Sequence, residues 1–407
     1  MSNDAAHQRS FATSSPRQKG VTRPRRFVEL QRGCSTMSPS CWPRGLFGPK
    51  GQRRGMHMSW APLVTIFVVY AMCPTNALAQ WRHNQRSHQL SAMTTNDLVQ
   101  LSSLGNAAAF RQLLKPILVE RIVDTQSHRQ VGDYLKSTVE QYGFSTEWDA
   151  FTDTTPYGRK PFRSLIATYD PLVPRRLVLA CHYDSKILSQ KFIAATDSAV
   201  PCAILLDIAR TLGPFLHQRY NQHITLQLLF LDGEEAFLEW TEKDSIYGAR
   251  HLAEKWSKAW YPSTNGSAFE LSKELDRIDV FMLLDLIGAP QPTFRSTIGH
   301  GTTELFIELA KIETALRGIG QLRSVPNAFS AAPNYYAIED DHIPFLKRGV
   351  PIMHVIAAPF PRVWHKPSDN EANLDFQSIY NINAVVRVFV ARYLGLTNFG
   401  SPTVNNG

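Results

Sequence analysis

The sequence predicts an α/β fold: a single domain with one mostly parallel central sheet that is covered by helices on both faces. Compact apolar runs alternate with segments of helical periodicity through residues 90–395, and continuous apolar strands are typical of a sheet buried on both faces. Neither an internal repeat nor a linker interrupts this stretch. With 407 residues, of which 43% are hydrophobic, the chain has enough material to bury such a core.

The predicted elements follow one another along the chain. Helical spacing of apolar residues from Asp97 to Tyr142 predicts two helices, and two alternating segments predict edge strands at Phe144–Phe151 and Phe162–Tyr169. Compact apolar runs predict four core strands: Arg176–Tyr183, His223–Asp232, Val280–Ile287 and Ile352–Ala357. Further helices are predicted near Ala199–Leu212, Ser245–Trp256, Thr303–Leu316 and Phe376–Tyr393.

The charge distribution does not indicate a nucleic-acid-binding protein. The formal charge is +8, but residues 1–59 carry 11 Lys and Arg against 2 Asp and Glu, which leaves 32 basic and 33 acidic residues for the rest. A near-neutral folded part lacks the basic footprint that binds phosphate backbones. Residues 1–59 are rich in Ser, Pro, Gly and Arg without periodicity, so we expect a disordered basic prefix or sequence upstream of the true start.

Residues 60–79 are typical of a signal peptide. The run WAPLVTIFVVYAMCPTNALA is uncharged, follows Arg53 and Arg54, and ends in the small-residue site Ala77-Leu78-Ala79. Its apolar core is too short to span a bilayer comfortably. We expect cleavage near Gln80, a folded domain at residues 80–407, and a secreted protein without stable membrane association. The alternative is an uncleaved signal anchor that faces the Golgi lumen.

Cysteine usage suits the same compartment. Three of the five cysteines lie in the prefix or the signal, which leaves Cys181 and Cys202 for the mature chain. In an oxidising compartment this pair is most simply a disulfide, with two buried free thiols as the alternative. The sequon at Asn265 lies in a polar segment and is a candidate glycosylation site.

Acidic residues and histidines cluster where the predicted core strands end. In such a sheet, ligands bind just beyond the carboxyl ends of the strands, so we expect these side chains to meet at one edge. They are His182, Asp184, Asp232, Glu234, Glu235, Asp285, Phe360, Trp364 and His365, with Asp197 at the start of a helix between two strands.

Asp197, Glu235 and His365 are the best candidates for a divalent-metal site. A catalytic zinc takes three ligands of these types from the protein and keeps one coordination position open. Taken alone, an Asp at a helix start is more often an N-cap, and an isolated His is more often structural. It is their joint placement at consecutive strand ends that favours zinc.

Glu234 and Glu235 stand side by side directly after the apolar run LQLLFL. Adjacent carboxylates repel each other unless their roles differ, and the natural division gives one to the metal and one to proton transfer. The alternative for an acidic pair is a solvated turn, but here the pair follows a buried strand. The pattern therefore favours a catalytic role.

Seven segments resemble those of animal glutaminyl cyclases, which share their fold with the M28 zinc aminopeptidases. They occur in the family's order over roughly residues 100–395. The segments are CHYDSK (181–186), ATDSAVPCA (195–203), FLDGEEAFLEW (230–240), DSIYGARHLA (244–253), LLDLIGAPQPTF (283–294), DDHIPFLKRGVPIMHVI (340–356) and PFPRVWH (359–365).

The resemblance implies a zinc-dependent glutaminyl-peptide cyclotransferase, an acyltransferase whose catalytic domain is residues 80–407. Its partners would be peptides or proteins that begin with Gln, with Glu as a second candidate, and the chain is expected to act as a monomer. One zinc per chain would be held by Asp197, Glu235 and His365. The other implied roles are proton transfer by Glu234, an acidic hydrogen-bond network of Asp285 and Asp341, a glutamine pocket shaped by Trp240, Phe360 and Trp364, and a disulfide between Cys181 and Cys202.

The chemistry that this reading requires needs no protein nucleophile. Zinc would polarise the γ-carboxamide of the glutamine, while Glu234 would take a proton from the α-amine and return it to the departing ammonia. Asp285 would help to hold or relay that proton. Tryptophan rings would pack the glutamine stem and exclude water.

Two other functions are compatible with the same fold. An M28-type zinc aminopeptidase would use His182 and Asp285 as additional ligands, and spacing alone does not separate it from the cyclase. The tryptophans and the DDHIPF and VWH stretches favour the cyclase. A binding domain that has lost catalysis would normally lack a ligand or the base, whereas this sequence keeps the whole candidate set.

Overall fold

A six-stranded sheet forms the centre of the computed structural model, which describes residues 84–261, 272–397 and 399. These residues all belong to one unit that spans Thr75–Gly407. The expected prefix, the expected signal peptide and the sequon at Asn265 lie outside the described residues, so those expectations stay predictions.

Ten strands occur among the described residues. In chain order they are β1 (Ser145–Thr155), β2 (Gly158–Thr168), β3 (Arg175–His182), β4 (Ile224–Leu231), β5 (Trp260–Tyr261), β6 (Ser272–Lys273), β7 (Ile278–Asp285), β8 (Phe294–Thr297), β9 (Phe329–Asn334) and β10 (Ile352–Ile356). The central sheet has the order β1-β2-β4-β3-β7-β10. Strands β4, β3, β7 and β10 are parallel, whereas β1 and β2 form an antiparallel hairpin at one edge. The mostly parallel sheet is therefore confirmed.

Eight α-helices are described between Thr95 and Leu394. They are α1 (Thr95–Ser103), α2 (Ala107–Leu114), α3 (Gln126–Gln141), α4 (Val200–Leu212), α5 (Tyr247–Lys258), α6 (Thr303–Gly318), the short α7 (Ile343–Leu346) and α8 (Phe376–Leu394). A π-helical turn at Ala195–Ala199 leads directly into α4.

Strand β3 shows how the sheet buries both of its faces. Leu177 and Leu179 belong to one hydrophobic cluster, whereas Val178 and Ala180 belong to another. Successive side chains of a strand point to opposite faces, so the two clusters lie on the two sides of the sheet. Helices α3, α4, α6 and α8 contribute to the first cluster, and α5 and α7 contribute to the second. The predicted covering by helices on both faces is confirmed.

The segment from Asp97 to Tyr142 forms three helices and not the two that its periodicity predicted. Thr94 begins α1 with a capping box, in which its side chain accepts from the Asp97 N–H and the Asp97 carboxylate accepts from the Thr94 N–H. Asn106 then caps α2 by accepting from the Ala109 N–H. Two N-caps in close succession start two separate helices, although the apolar spacing continues across both.

Strands β8 and β9 form a separate two-stranded parallel sheet that the sequence analysis did not predict. The sequence of β9 is FSAAPN, which lacks the apolar alternation of a half-buried strand and contains a proline. Short strands of this kind are set by tertiary contacts more than by local sequence.

One helical stretch among the described residues, Ala195–Gln218, has the length and hydropathy of a membrane span. Its most apolar window is 89% buried inside the protein, as is expected of a core helix. The buried residues of α4 include Ile204, Leu205 and Ile208, which all belong to the first hydrophobic cluster.

Cys181 and Cys202 meet where β3 ends and α4 begins. Both thiols are buried, and their sulphur atoms lie 3.1 Å apart. A disulfide bond measures about 2.05 Å between sulphurs, so the described thiols are close but not bonded. The disulfide stays a prediction, and the proximity of the two side chains supports it.

We expect the oxidised protein to contain this bond and to be stabilised by it. Replacing both cysteines by alanine should lower the free energy of unfolding in urea by about 3 kcal/mol, because the closed loop restricts the unfolded chain. Reductant should lower the stability of the wild-type protein but leave that of the double variant unchanged. Mass spectrometry that found both thiols free in the oxidised protein would contradict the prediction.

Candidate metal centre and active site

Four parallel strands deliver the site residues to one edge of the sheet. Strand β3 ends at His182 and β7 ends at Asp285. The chain after β4 carries Glu234 and Glu235, and the chain after β10 leads to His365. Because parallel strands have their carboxyl ends at the same edge, residues from distant parts of the chain converge there.

Asp197, Glu235 and His365 form a group whose ligand atoms all lie within 4.8 Å of one another. The His365 Nε2 atom is 3.4 Å from Asp197 Oδ2 and 3.6 Å from Glu235 Oε1. Both of these carboxylate oxygens are buried and accept no hydrogen bond from any described residue. Buried polar atoms rarely lack a partner, so two such oxygens that face one imidazole nitrogen suit a cation between them.

Without a cation, the attraction between the two carboxylates and the His365 imidazole determines which of these groups are charged. Burial raises the pKa of Asp197, but the neighbouring imidazoles of His182 and His365 outweigh burial and hold that pKa below its usual value. Burial disfavours the charged form of His365, but the charge of Glu235 and the contacts with Asp197 raise its pKa to about 9. A metal ion would therefore replace the proton of His365 as the positive charge between the carboxylates.

The backbone around these ligands is irregular. Asp197 lies in the π-helical turn with φ −123° and ψ 68°, outside helical geometry, and its peptide bond to Ser198 is cis. His365 has a φ of 51°, a region that non-glycine residues rarely occupy. Gly233 has a φ of 72°, and a Cβ there would lie 2.5 Å from the Phe162 ring, so only glycine fits between β4 and the two glutamates.

Asp184 positions both glutamates through their backbone. Its carboxylate accepts the N–H of Glu234 at 3.1 Å and the N–H of Glu235 at 3.2 Å. Burial raises the pKa of Glu234 well above its usual value, and the nearby charge of Glu235 raises it further against the opposing effect of His182. A buried carboxylate of raised basicity beside a ligand position can take up a proton from a substrate.

His182, Asp197 and Asp285 form a second group of ligating residue types that shares Asp197 with the first. His182 Nε2 lies 3.1 Å from Asp197 Oδ1 and 3.5 Å from Asp285 Oδ1. Asp285 Oδ1 also accepts a hydrogen bond from the Ser198 hydroxyl and one from the Leu286 N–H at 2.7 Å. Burial raises the pKa of Asp285 to about 6, with the charge of Asp340 as the next cause.

The structure distinguishes two adjacent aspartates. The Asp340 carboxylate bonds His354 Nε2 at 2.7 Å and the Asp341 N–H at 2.7 Å. Asp341 is fully buried, and neither of its carboxylate oxygens bonds a described residue. Burial raises the pKa of Asp341 well above its usual value, and the charge of Asp340 raises it further. The role of Asp341 in an acidic hydrogen-bond network with Asp285 stays a prediction. Asp340 is a second candidate for that role.

Asp340, His342 and His354 are a third group of potential ligands, and His300 lies beside them. The rings of His342 and His354 are tilted by 41° with their centroids 4.2 Å apart, and the centroids of His342 and His300 are 4.9 Å apart. Burial, followed by the neighbouring imidazoles, holds the pKa of His342 well below its usual value. The three imidazole rings therefore form one packed cluster around His342.

Aromatic rings surround the His365 side of the site. The Trp364 ring stacks on His365 at 4.1 Å and meets Phe360 edge-on at 4.9 Å. Phe192 approaches His365 edge-on from another segment at 6.2 Å. Trp240 lies on the chain after β4 and is half-buried, and its indole N–H donates to Glu339 at 2.9 Å. The predicted pocket roles of Trp240, Phe360 and Trp364 stay predictions.

Several residues that support the site gave little signal in the sequence. Buried Arg121 donates to the Tyr183 carbonyl at 2.9 Å and to the Ala194 carbonyl at 3.1 Å, so it ties the end of β3 to the segment before Asp197. Asp369 accepts from the Thr196 N–H at 2.8 Å. Burial and the charge of Asp197 raise the pKa of Asp369 to about 7.

Two further neighbours of the glutamates follow strand β3, and the sequence analysis had already placed one of them, Asp184, at this strand end. Lys186 Nζ lies 3.5 Å from Glu235 Oε2 and is mostly buried. Asp184 follows His182 at the end of β3, and polar residues just beyond a parallel strand are candidates for the site. Arg121 and Asp369 lie in irregular segments, where no periodicity singles them out.

Comparisons with known proteins agree with this architecture. The sequence model of peptidase family M28 matches residues 164–390. The glutaminyl-peptide cyclotransferase of Boiga irregularis is 40% identical over 335 residues, which cover 78% of this chain and 90% of that protein. The Drosophila melanogaster glutaminyl-peptide cyclotransferase is 39% identical over 321 residues, which cover 76% of this chain and 87% of that protein.

Solved structures show the same relationship. Macrostomum lignano glutaminyl cyclase matches with a TM-score of 0.70 at 38% identity over 76% of this chain and 96% of that chain. A leucine aminopeptidase precursor from Bacteroides thetaiotaomicron shares the fold, with a TM-score of 0.56 at 20% identity over 70% of this chain and 96% of that chain. The resemblance noted in the sequence is confirmed, and the chain belongs to peptidase family M28 and to the glutaminyl-peptide cyclotransferases.

Proposed function

We propose that this chain is a zinc-dependent enzyme that converts the N-terminal glutamine of peptides to pyroglutamate and releases ammonia. The observation that carries the proposal is the group of Asp197, Glu235 and His365 beside the buried carboxylate of Glu234. Membership of the glutaminyl-peptide cyclotransferases supplies the substrate class. N-terminal Glu is a second candidate substrate of the same site.

The residues present fit zinc better than a harder cation. One imidazole and two carboxylates are ligands that a catalytic zinc takes, whereas calcium and magnesium prefer oxygen ligands alone. When bound, zinc would supply a Lewis acid that polarises the γ-carboxamide carbonyl and stabilises negative charge on its oxygen. The unpartnered oxygens of Asp197 and Glu235 and the Nε2 atom of His365 are the atoms of this chain that would hold it.

Residues of the chain would transfer the α-amine proton and hold the catalytic groups in position. Glu234 accepts a proton from the α-amine of the substrate as the amine nitrogen bonds to the carbonyl carbon of the γ-carboxamide in the same molecule. Glu234 then gives that proton to the departing amide nitrogen, which leaves as ammonia. Asp184 holds the backbone of Glu234 in place, and Asp285 stabilises or relays the proton through its buried hydrogen-bond network.

A two-metal aminopeptidase remains the second candidate, because His182, Asp197 and Asp285 offer a second ligand set. A second ion would have to displace contacts that the structure already holds. Asp285 Oδ1 accepts hydrogen bonds from Ser198 and Leu286, and His182 Nε2 lies 3.1 Å from Asp197 Oδ1. These contacts favour one ion over two.

We also propose that the protein is secreted and acts as a monomer. The signal-like residues 60–79 support secretion, and the proximity of Cys181 and Cys202 suits an oxidising compartment. All three proposed ligands and the proposed base come from one chain, so the site requires no second copy.

Metal content separates the two candidate functions. We expect purified protein to retain one equivalent of zinc after dialysis, measured by mass spectrometry of the metal, and to lose ammonia release from a Gln-initiated dipeptide when a chelator removes it. Zinc added back should restore the activity. Two equivalents that survive dialysis, together with hydrolysis of ordinary N-terminal residues, would assign the protein to the aminopeptidases.

Glu234 and Glu235 are chemically identical, so matched substitutions test their different roles. Glu235→Gln replaces a charged ligand by a neutral one, so zinc content and activity should fall together, with partial rescue by added zinc. Glu234→Gln should keep its zinc but lose on the order of 10²–10⁴ in kcat, the usual share of general acid–base catalysis, while substrate binding changes less. A Glu234→Gln protein that cyclises glutamine at the wild-type rate with zinc bound would refute the mechanism.

The start of the mature protein tests the proposed localisation. Expressed in animal cells, the full chain should appear in the medium with an N-terminus near Gln80, because signal peptidase cuts after small residues such as Ala77 and Ala79. N-terminal sequencing of the secreted protein measures this. A cell-retained protein that keeps residues 60–79 would instead support the signal anchor.

A further inference from the structure

A hydrogen bond joins two loops that both carry acidic site residues. The Trp240 indole N–H donates to Glu339 Oε2 at 2.9 Å. Trp240 lies shortly after Glu234 and Glu235, and Glu339 directly precedes Asp340. The bond therefore connects the loop after β4 with the loop before α7, although their residues are far apart in sequence.

A buried carboxylate anchors each of the two loops that this hydrogen bond joins. On the first loop, Asp244 accepts the N–H groups of Phe237 and Leu238, both at 2.9 Å, and so fixes the backbone just before Trp240. On the second loop, Asp340 is held by His354 at 2.7 Å. The Trp240–Glu339 hydrogen bond thus spans two segments whose backbones are already anchored.

The bond matters because Trp240 is only half-buried. The Trp240 side chain packs against the second hydrophobic cluster, but part of it is accessible. A half-buried side chain retains rotamer freedom unless a directional contact removes it. A carboxylate acceptor gives a stronger hydrogen bond than a neutral one and sets the orientation of the indole plane.

We propose that Glu339 is a positioning residue for substrate binding, because it fixes the Trp240 ring as a rigid wall of the glutamine pocket. This rests on the proposed function, in which Trp240 shapes that pocket. Glu339 acts through Trp240 and needs no contact of its own with the substrate. An ordered wall costs less conformational entropy when substrate binds, so Glu339 lowers KM more than it raises kcat.

Paired substitutions test this role. Glu339→Ala removes the acceptor and should raise KM for a Gln-initiated peptide on the order of ten-fold, with kcat and zinc content close to wild type. Glu339→Gln keeps an amide oxygen that can accept the indole N–H, so it should recover most of that loss. Glu242→Ala is the matched control, since Glu242 lies on the same loop, is exposed, and pairs only weakly with Lys347 at 3.6 Å.

A double-mutant cycle shows whether the effect passes through the indole. Trp240→Phe keeps an aromatic ring without the N–H, so Glu339→Ala should change KM no further in that background. Independent effects of the two substitutions, or an unchanged KM in Glu339→Ala, would overturn the proposal. A parallel loss of kcat, zinc and melting temperature would also overturn it, because it would indicate a purely structural role.

A spectroscopic measurement separates this inference from the proposed activity. In protein labelled with 5-fluorotryptophan, the Trp240 resonance is the one that Trp240→Phe removes. It should shift or broaden in Glu339→Ala and stay sharp in Glu242→Ala, whether or not the protein cyclises glutamine. Identical Trp240 resonances in wild type and Glu339→Ala would overturn the inference, whereas a wild-type protein inactive on glutamine would overturn the function alone.

Discussion

Burial of many carboxylates at one edge of the sheet is the constraint on which the site depends. Asp184, Asp197, Glu234, Glu235, Asp285, Asp340 and Asp341 are all less than a tenth exposed. Unpaired buried charge is costly, and such groups either find partners or take up protons. The buried histidines and the candidate metal position both offset this excess of negative charge.

The fold gives these carboxylates different partners, and their partners indicate different roles. Asp184 and Asp369 are satisfied by backbone N–H groups, so they act as fixed supports. Asp197 and Glu235 direct oxygens without hydrogen-bond partners among the described residues at the His365 imidazole, where a cation fits. Glu234 and Asp285 have raised pKa values, because burial disfavours their charged forms. Different carboxylates of this group are thus suited to holding the backbone, to binding a metal and to transferring a proton.

Most of the fold could be predicted from the sequence because each core strand is a continuous apolar run with polar residues at its end. Several candidate site residues followed from the same rule, since Glu234, Glu235 and Asp285 lie where such runs end. The sequence did not predict the features of the structure that depend on tertiary contacts or on caps. The periodicity across α1 and α2 concealed the two N-caps, and the β9 sequence carries no strand pattern. The adjacent Asp340 and Asp341 could not be told apart, because which carboxylate meets His354 depends on the fold of an irregular loop.

The strand order also has a consequence for synthesis of the chain. Strand β10 pairs with β7 at the end of the sheet, and it is made after all the other strands. A nascent chain that has emerged only as far as β7 presents that apolar strand as an open edge, which is a template for pairing with other chains. It also carries the acidic residues from Asp184 to Asp285 without His365. The last quarter of the polypeptide both closes the sheet and supplies the imidazole, so an unfinished chain exposes an apolar strand edge and lacks one of the three proposed metal ligands.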